Sequence, residues 1–145
     1  MDIAKRTRLL FVDDRVEFRR LFELFMEEHQ DLEIVGMSAR ATGLEEKVLQ
    51  LQPDVVVLDI SMPILSGLEA AARLADGGCA ARVLFLTVHE DPAFVEAARN
   101  VGALGYVVKR TIGADLLPAI RLVLGGRPAF PSASSLRPDG AADGV

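Results

Sequence analysis

Three acids, a threonine and a lysine each stand directly after an apolar run: Asp13 and Asp14 in "LLFVDD", Asp59 in "VVVLD", Thr87 in "VLFLT" and Lys109 in "GYVVK". A carboxylate at the end of a buried strand is costly to hide, because burial without a partner disfavours its charged form. Three such groups at one edge would also repel one another, by about 4 kcal/mol for a pair 4 Å apart at an effective dielectric of 20. A divalent cation removes that cost. Oxygen donors with no cysteine among them favour a hard ion, Mg²⁺ first and Mn²⁺ second. A carboxylate so placed can act as a nucleophile toward phosphorus, provided that cations screen the incoming charge. Thr87 could then hydrogen-bond one phosphoryl oxygen and Lys109 could pair with another.

For these side chains to meet, the runs that carry them must lie side by side. Five short apolar runs recur, Leu9 to Val12, Leu32 to Val35, Val55 to Leu58, Val83 to Leu86 and Tyr106 to Val108, each followed by a segment of helical period. Phe18, Leu21, Phe22 and Phe25 follow the first at helical spacing; Leu44, Val48 and Leu51 follow the second. Asp91 and Pro92 open the fourth helical segment as N-cap and first helical residue. Strands apolar on both faces and alternating with helices imply a parallel sheet covered on both sides, a doubly wound α/β domain. Ligands of such sheets bind beyond the carboxyl ends of the strands, where the five polar residues stand.

The fifth helical segment contains Pro118, which cannot donate a backbone hydrogen bond. A helix start near Asp115 would place it in the first turn, whereas a start at Thr111 would put a kink inside the helix. From Gly125 onward, "GGRPAFPSASSLRPDGAADGV" loses all periodicity and is expected to be a flexible or linker-like tail. The expected division is a domain over 1–126 and a tail over 127–145.

At 145 residues, net charge −5 and half hydrophobic, the chain fits one globular domain. No apolar run approaches the roughly 18 residues needed to span a bilayer, so no membrane association is expected. The single cysteine, Cys79, allows no intrachain disulfide and suits a reducing, cytoplasmic setting. The acidic balance argues against a DNA contact made by this chain itself. Lys5, Arg6 and Arg8 are read as a solvated lead-in to the first strand.

The set "LLFVDD", "VVVLDISMPILSG", "VLFLT" and "GYVVK", in this order and separation, closely resembles the receiver domain of two-component response regulators. The likeness covers about Arg8 to Gly126, with Met62, Pro63 and Gly67 also in register. It implies a flavodoxin-like five-stranded parallel sheet of order 2-1-3-4-5 flanked by five helices. It further implies that Asp59 is phosphorylated by a sensor histidine kinase, and that Asp13, Asp14, Asp59 and the backbone carbonyl of Ser61 hold Mg²⁺. Thr87 and Lys109 would bind the phosphoryl group, and Thr87 and Tyr106 would form the switch that alters the fourth and fifth strand-helix units. "LTVHEDPAF", "GALGYVVK" and the Gly-Gly-Arg-Pro ending look most like receivers of the LuxR or NarL kind, which implies a transcriptional output, through a domain absent here or through protein contacts, and a homodimer among its partners. Two departures are Arg110, where many receivers have proline, and Pro118 in a helix that usually belongs to the output face.

Individual residues also admit simpler roles. Asp14 with Glu17 matches a helix capping pair. Gly67 is expected to open the third helix, and Gly102 and Gly105 to supply turn conformations closed to other residues. Ser61 and His89 lie near the expected phosphoryl site and could tune its hydrolysis, although a surface histidine in a loop is the plainer expectation; His29 is read as a solvated residue suiting the helix dipole. A phosphatase resembling the haloacid dehalogenases is the enzymatic alternative to a regulatory domain with its own autophosphorylation and autodephosphorylation chemistry. That alternative needs an acid two residues after the nucleophile, where Ser61 stands. Nucleotide binding lacks both a Gly-rich fingerprint and a phosphate-binding loop.

Overall fold

The computed structural model describes residues 5–138. Five parallel strands, β1 (Thr7–Val12), β2 (Leu32–Ser38), β3 (Val55–Leu58), β4 (Arg82–Thr87) and β5 (Gly105–Val108), lie in the order β2-β1-β3-β4-β5. Helices α1 (Val16–Glu27), α2 (Leu44–Leu51), α3 (Gly67–Asp76), α4 (Pro92–Asn100) and α5 (Ile112–Leu124) alternate with them. This is the flavodoxin-like order expected from the resemblance.

Successive residues of a strand point to opposite faces, and here both faces are apolar. Leu10, Val12, Val56, Leu58 and Phe85 face one core with α2, α3 and α4, through Val48, Leu74, Val95 and Ala98. Leu9, Phe11, Val57, Leu84 and Leu86 face the other with α1 and α5, through Phe22, Met26, Leu116 and Ile120. Phe11 and Phe22 stack with ring centroids 4.0 Å apart. Side chains of this size stabilise by roughly 1.5–3 kcal/mol each when fully buried, so the central strands form a rigid floor for whatever extends from their ends. Of the expected α1 stripe, Phe22 is buried while Leu21 is exposed; Met26 completes the inward face.

Register sets which strand ends are neighbours. Val12 pairs with Leu58, and Leu58 with Phe85. Asp13 and Asp59, one residue farther on, therefore emerge side by side, and the Asp59 amide donates to the Val12 carbonyl at 3.0 Å.

Three local expectations need correction. Asp14 does not cap α1: the N-cap is Arg15, without a side-chain cap, and it is Asp13 Oδ1 that accepts from the Arg15 amide at 2.9 Å. Helix α5 begins at Ile112 rather than near Asp115, so Pro118 is internal. The helix tolerates it because Pro118 and Ala114, whose carbonyl loses its partner, are both exposed to water. Gly105 adopts no positive φ, although Gly102 does, at 90°. At Gly105 the constraint is space, since a Cβ would lie 2.4 Å from Leu84 Cδ1 and 2.9 Å from Val123 Cγ2. Asp91 caps α4 as expected, its Oδ1 accepting from the Ala93 amide at 2.9 Å with Pro92 at the helix start.

The segment after Gly126 departs from the expectation of a flexible tail. Residues 127–138 turn back along the open edge of β5. The Ala129 carbonyl accepts from the Tyr106 amide, and the Ala129 amide donates to the Leu104 carbonyl, both at 2.9 Å, forming a parallel bridge to Gly105. Leu136 is buried against the core, and the Arg99 guanidinium lies 4.0 Å from the centroid of the Phe130 ring. Unpaired edge groups of a sheet seek such partners, and nothing in the periodicity of a proline- and serine-rich segment announces one. Residues 139–145 lie outside the described residues.

Candidate functional site

The strand ends bring the predicted residues together. Asp13, Asp14 and Asp59 each offer a carboxylate oxygen within 4.8 Å of the others. Asp13 and Asp59 are buried and Asp14 is exposed, so the cluster opens to solvent on one side. Lys109 Nζ lies 2.6 Å from Asp13 Oδ2 and 3.3 Å from Asp59 Oδ2, almost wholly out of water. Thr87 is fully buried at the end of β4.

Asp59 is held from both sides. Its Oδ1 accepts from the Ile60 amide at 2.8 Å, and its Oδ2 faces Lys109. Burial nevertheless dominates: it raises the Asp59 carboxyl above the usual aspartate range, Lys109 pulls it back, and the neighbouring charge of Asp13 raises it again. Three carboxylates thus converge on one ammonium. Asp13 Oδ2 is buried with the Lys109 ammonium as its one contact, outside good hydrogen-bond alignment. Three convergent carboxylates with a single ammonium between them fit a hard divalent ion.

Gly67 proves to be more than a helix opener. A Cβ there would sit 1.9 Å from the backbone oxygen of Asp59, and the Gly67 amide donates to the Ile60 carbonyl at 2.8 Å. The start of α3, capped by Ser66 accepting from the Glu69 amide at 3.2 Å, thus presses directly on the back of Asp59. Only a residue without a side chain allows that approach.

On the other side, the loop after Thr87 is pinned at His89. The His89 amide donates to Thr87 Oγ1 at 3.3 Å, and the Tyr106 hydroxyl donates to the His89 carbonyl at 2.8 Å. Tyr106 is buried, with its ring turned inward beside Phe85, and burial pushes its hydroxyl well above the usual tyrosine range. The His89 imidazole is not a free surface group: it stacks on Phe94 at 4.1 Å and hydrogen-bonds the Ser61 hydroxyl. His29 lies beside Phe25, away from these groups.

Two participants were not singled out from sequence. The Phe18 ring lies 3.8 Å from Lys109 Nζ, a cation–π contact on a residue read only as part of an apolar stripe. Its position four residues after Asp14, in the first turn of α1, was the available signal. Glu90 is buried and accepts from Arg110 Nε at 2.9 Å and Nη2 at 2.8 Å, which holds its carboxyl below the usual glutamate range. In the sequence it is one acid in a polar loop.

No described helix is long and apolar enough to cross a membrane. The response regulator receiver domain family matches residues 9–121. The uncharacterized transcriptional regulatory protein YvfU of Bacillus subtilis is 32% identical over 123 residues, covering 85% of this chain and 62% of its own length. The oxygen regulatory protein NreC of Staphylococcus aureus is 32% identical over 120 residues, covering 82% of this chain and 55% of its own. The chain therefore spans somewhat over half the length of these curated relatives. Among solved structures, a LuxR-family two-component response regulator from Aurantimonas sp. SI85-9A1 superposes with a TM-score of 0.84 at 30% identity, covering 97% of this chain and 98% of the other. The signal receiver domain of the putative response regulator NarL from Mycobacterium tuberculosis gives 0.80 at 27%, covering 85% and 99%. A dehalogenase-like phosphatase finds no support in these matches, and Ser61 occupies the position where its second acid is needed. The convergence of acids, threonine and lysine at one sheet edge agrees with this kinship: the chain belongs to the response regulator receiver domain family, in its LuxR/NarL-like branch, and its role is that of a phosphoacceptor switch.

Proposed function

We propose that Asp59 is the phosphoacceptor and that a sensor histidine kinase is the donor. The observation that supports this best is the charge imbalance around it: three carboxylates within 4.8 Å and one lysine shared by two of them. In the transfer, an Asp59 carboxylate oxygen bonds to phosphorus as the phosphorus–nitrogen bond to the kinase imidazole breaks, and the nitrogen keeps the electron pair. Lys109 shifts from its carboxylate partners to a phosphoryl oxygen, and the Thr87 hydroxyl donates to another. Asp13, Asp14, Asp59 and the Ser61 carbonyl would hold Mg²⁺, with Mn²⁺ accepted by the same oxygens. That ion would supply screening of the charge brought in by the phosphoryl group.

Once Thr87 is engaged, the loop it leads carries His89, whose carbonyl anchors Tyr106. This links the site to the face built by β4, α4, β5 and α5, where output contacts and a homodimer would form. Ser61 and His89, already paired beside the site, tune water access to the phosphoryl group. The domain, expected from sequence to end at 126, works as a regulatory element in the cytoplasm together with the 127–138 segment that packs on it, with autophosphorylation and autodephosphorylation chemistry and no separate substrate. Transcriptional output, which the relatives' names attach to them, would come from protein contacts or from a domain outside this sequence, with no DNA contact from these residues.

Acetyl phosphate with Mg²⁺ tests the assignment by intact mass. Wild type should gain one phosphoryl group and Asp59→Asn none. Equal labelling of the two would remove Asp59 from the mechanism.

A further inference from the structure

The most extensively partnered carboxylate outside the acidic cluster is Glu90, on the loop between Thr87 and α4. It accepts from Nε and Nη2 of Arg110, in the turn after β5, and from the backbone amide of Arg137 at 2.8 Å. Arg110 Nη2 also donates to the Ser135 carbonyl at 3.0 Å. One ion pair thus joins three separate pieces of chain: the loop leading from Thr87, the residue after Lys109, and the strap by which the chain leaves the domain. Both of the strap's polar ties to the domain beyond Ala129 run through this pair.

The rest of the strap is held unevenly. At one end Ala129 extends the sheet beside β5, and Leu136 packs on the core. Between strap and α5 lies a cavity of about 280 Å³, lined by Thr111, Pro118, Leu122, Phe130, Pro131 and Ser135. Close packing is what makes an apolar contact strong; across this gap it is missing. Residues 130–137 are therefore held by Phe130 under Arg99, by Leu136 on the core, and by the Glu90 pair, which supplies their direct hydrogen bonds to the domain. Glu90 itself follows His89, whose amide meets Thr87 and whose carbonyl meets Tyr106. Glu90 is thus one residue from the group that couples Thr87 to Tyr106, so a displacement of Thr87 and His89 toward a group on Asp59 bears directly on the Glu90 carboxylate and its donors.

We propose that Glu90 is a latch: it clamps residues 129–137 against β5 in the unmodified domain, and its displacement with the Thr87–Asp91 loop on phosphorylation releases that strap. The inference rests on Asp59 being the phosphoacceptor for its trigger, but not for the clamp. The loop contributes differential affinity, since its unmodified position is the one in which the carboxylate meets all three donors.

Hydrogen exchange read by mass spectrometry on the full chain tests both parts. In wild type, Mg²⁺ with fluoroberyllate should protect peptides around Asp59 and Gly67. It should also speed exchange at the amides of Tyr106, Ala129 and Arg137 by about tenfold or more, as the two backbone bonds and the one carboxylate bond that protect them open together. Glu90→Ala and, independently, Arg110→Ala should show the fast strap without the mimic while the Phe11 and Val57 amides keep wild-type protection. A slow strap in both variants would overturn the clamp. Protection around Asp59 with no change in the strap would overturn the trigger. No change around Asp59 at all would instead overturn the phosphoacceptor reading, and the variants would still judge the clamp.

Discussion

Two buried carboxylates, Asp59 and Glu90, are handled in opposite ways. Asp59 has one lysine shared with Asp13, an amide on one oxygen, and a carboxyl raised by burial. Glu90 has a two-pronged guanidinium, a backbone amide, and a carboxyl lowered chiefly by Arg110. The Asp59 cluster is short of positive charge and the Glu90 cluster is not. A site left short of charge is one that waits for a cation or an electrophile; a satisfied one holds parts of the chain together. Within about thirty residues of sequence, the same chemical group serves as reactive centre and as fastener, according to what the fold puts beside it.

This contrast can be broken experimentally. The largest effect is expected at Gly67→Ala, which touches only the Asp59 side. A methyl group 1.9 Å from the Asp59 carbonyl forces the α3 start away, costing about 3 kcal/mol against a helix-propensity gain of about 1 kcal/mol. Urea unfolding should show the net loss, and labelling by acetyl phosphate should fall with it.

Replacing each carboxylate by its amide should give stability changes of opposite sign. Asp59→Asn removes an under-compensated buried charge and should stabilise the metal-free protein by roughly 1 kcal/mol. Glu90→Gln weakens a solvent-screened ion pair and should destabilise it by up to roughly 1 kcal/mol. Thermal denaturation of the two variants in the presence of a chelator decides it, and shifts in the same direction would erase the distinction.

The smallest effect is the pH dependence. Asp59's folded carboxyl is raised, so the folded state binds its proton more tightly than the unfolded chain does; its contribution to stability falls as pH rises from about 4 through the raised value. Glu90's is lowered, so its contribution is present above the ordinary glutamate range and is lost as pH falls through the folded value. Difference titrations of denaturation midpoint, wild type minus Asp59→Asn and wild type minus Glu90→Gln, should therefore slope in opposite directions in metal-free buffer.

Much of the site was legible in the sequence because its parts stand at strand ends. Once Leu9–Val12, Val55–Leu58 and Val83–Leu86 are recognised as buried parallel strands, Asp13, Asp59 and Thr87 have nowhere to go but one edge. What escaped notice depends on contacts between residues far apart in the chain. Arg110 to Glu90 spans 20 residues and Arg137 to Glu90 spans 47; no local period records either. Pro118 misled for a related reason: its cost is set by whether the freed carbonyl reaches water, which local sequence does not specify.

Alternation of apolar runs with helical segments, and the residue type closing each run, were enough to determine a doubly wound sheet with acids, threonine and lysine gathered at its carboxyl edge. Periodicity and residue type are local, and burial of both sheet faces leaves few arrangements that satisfy them. Tertiary structure alone decided how charge is balanced there: that Asp13 and Asp59 share Lys109, that Gly67 backs Asp59, and that residues 127–138 return to clasp β5 through Glu90. Those outcomes depend on distances of a few ångströms between segments remote in sequence, and electrostatic balance and steric contact change sign over that range.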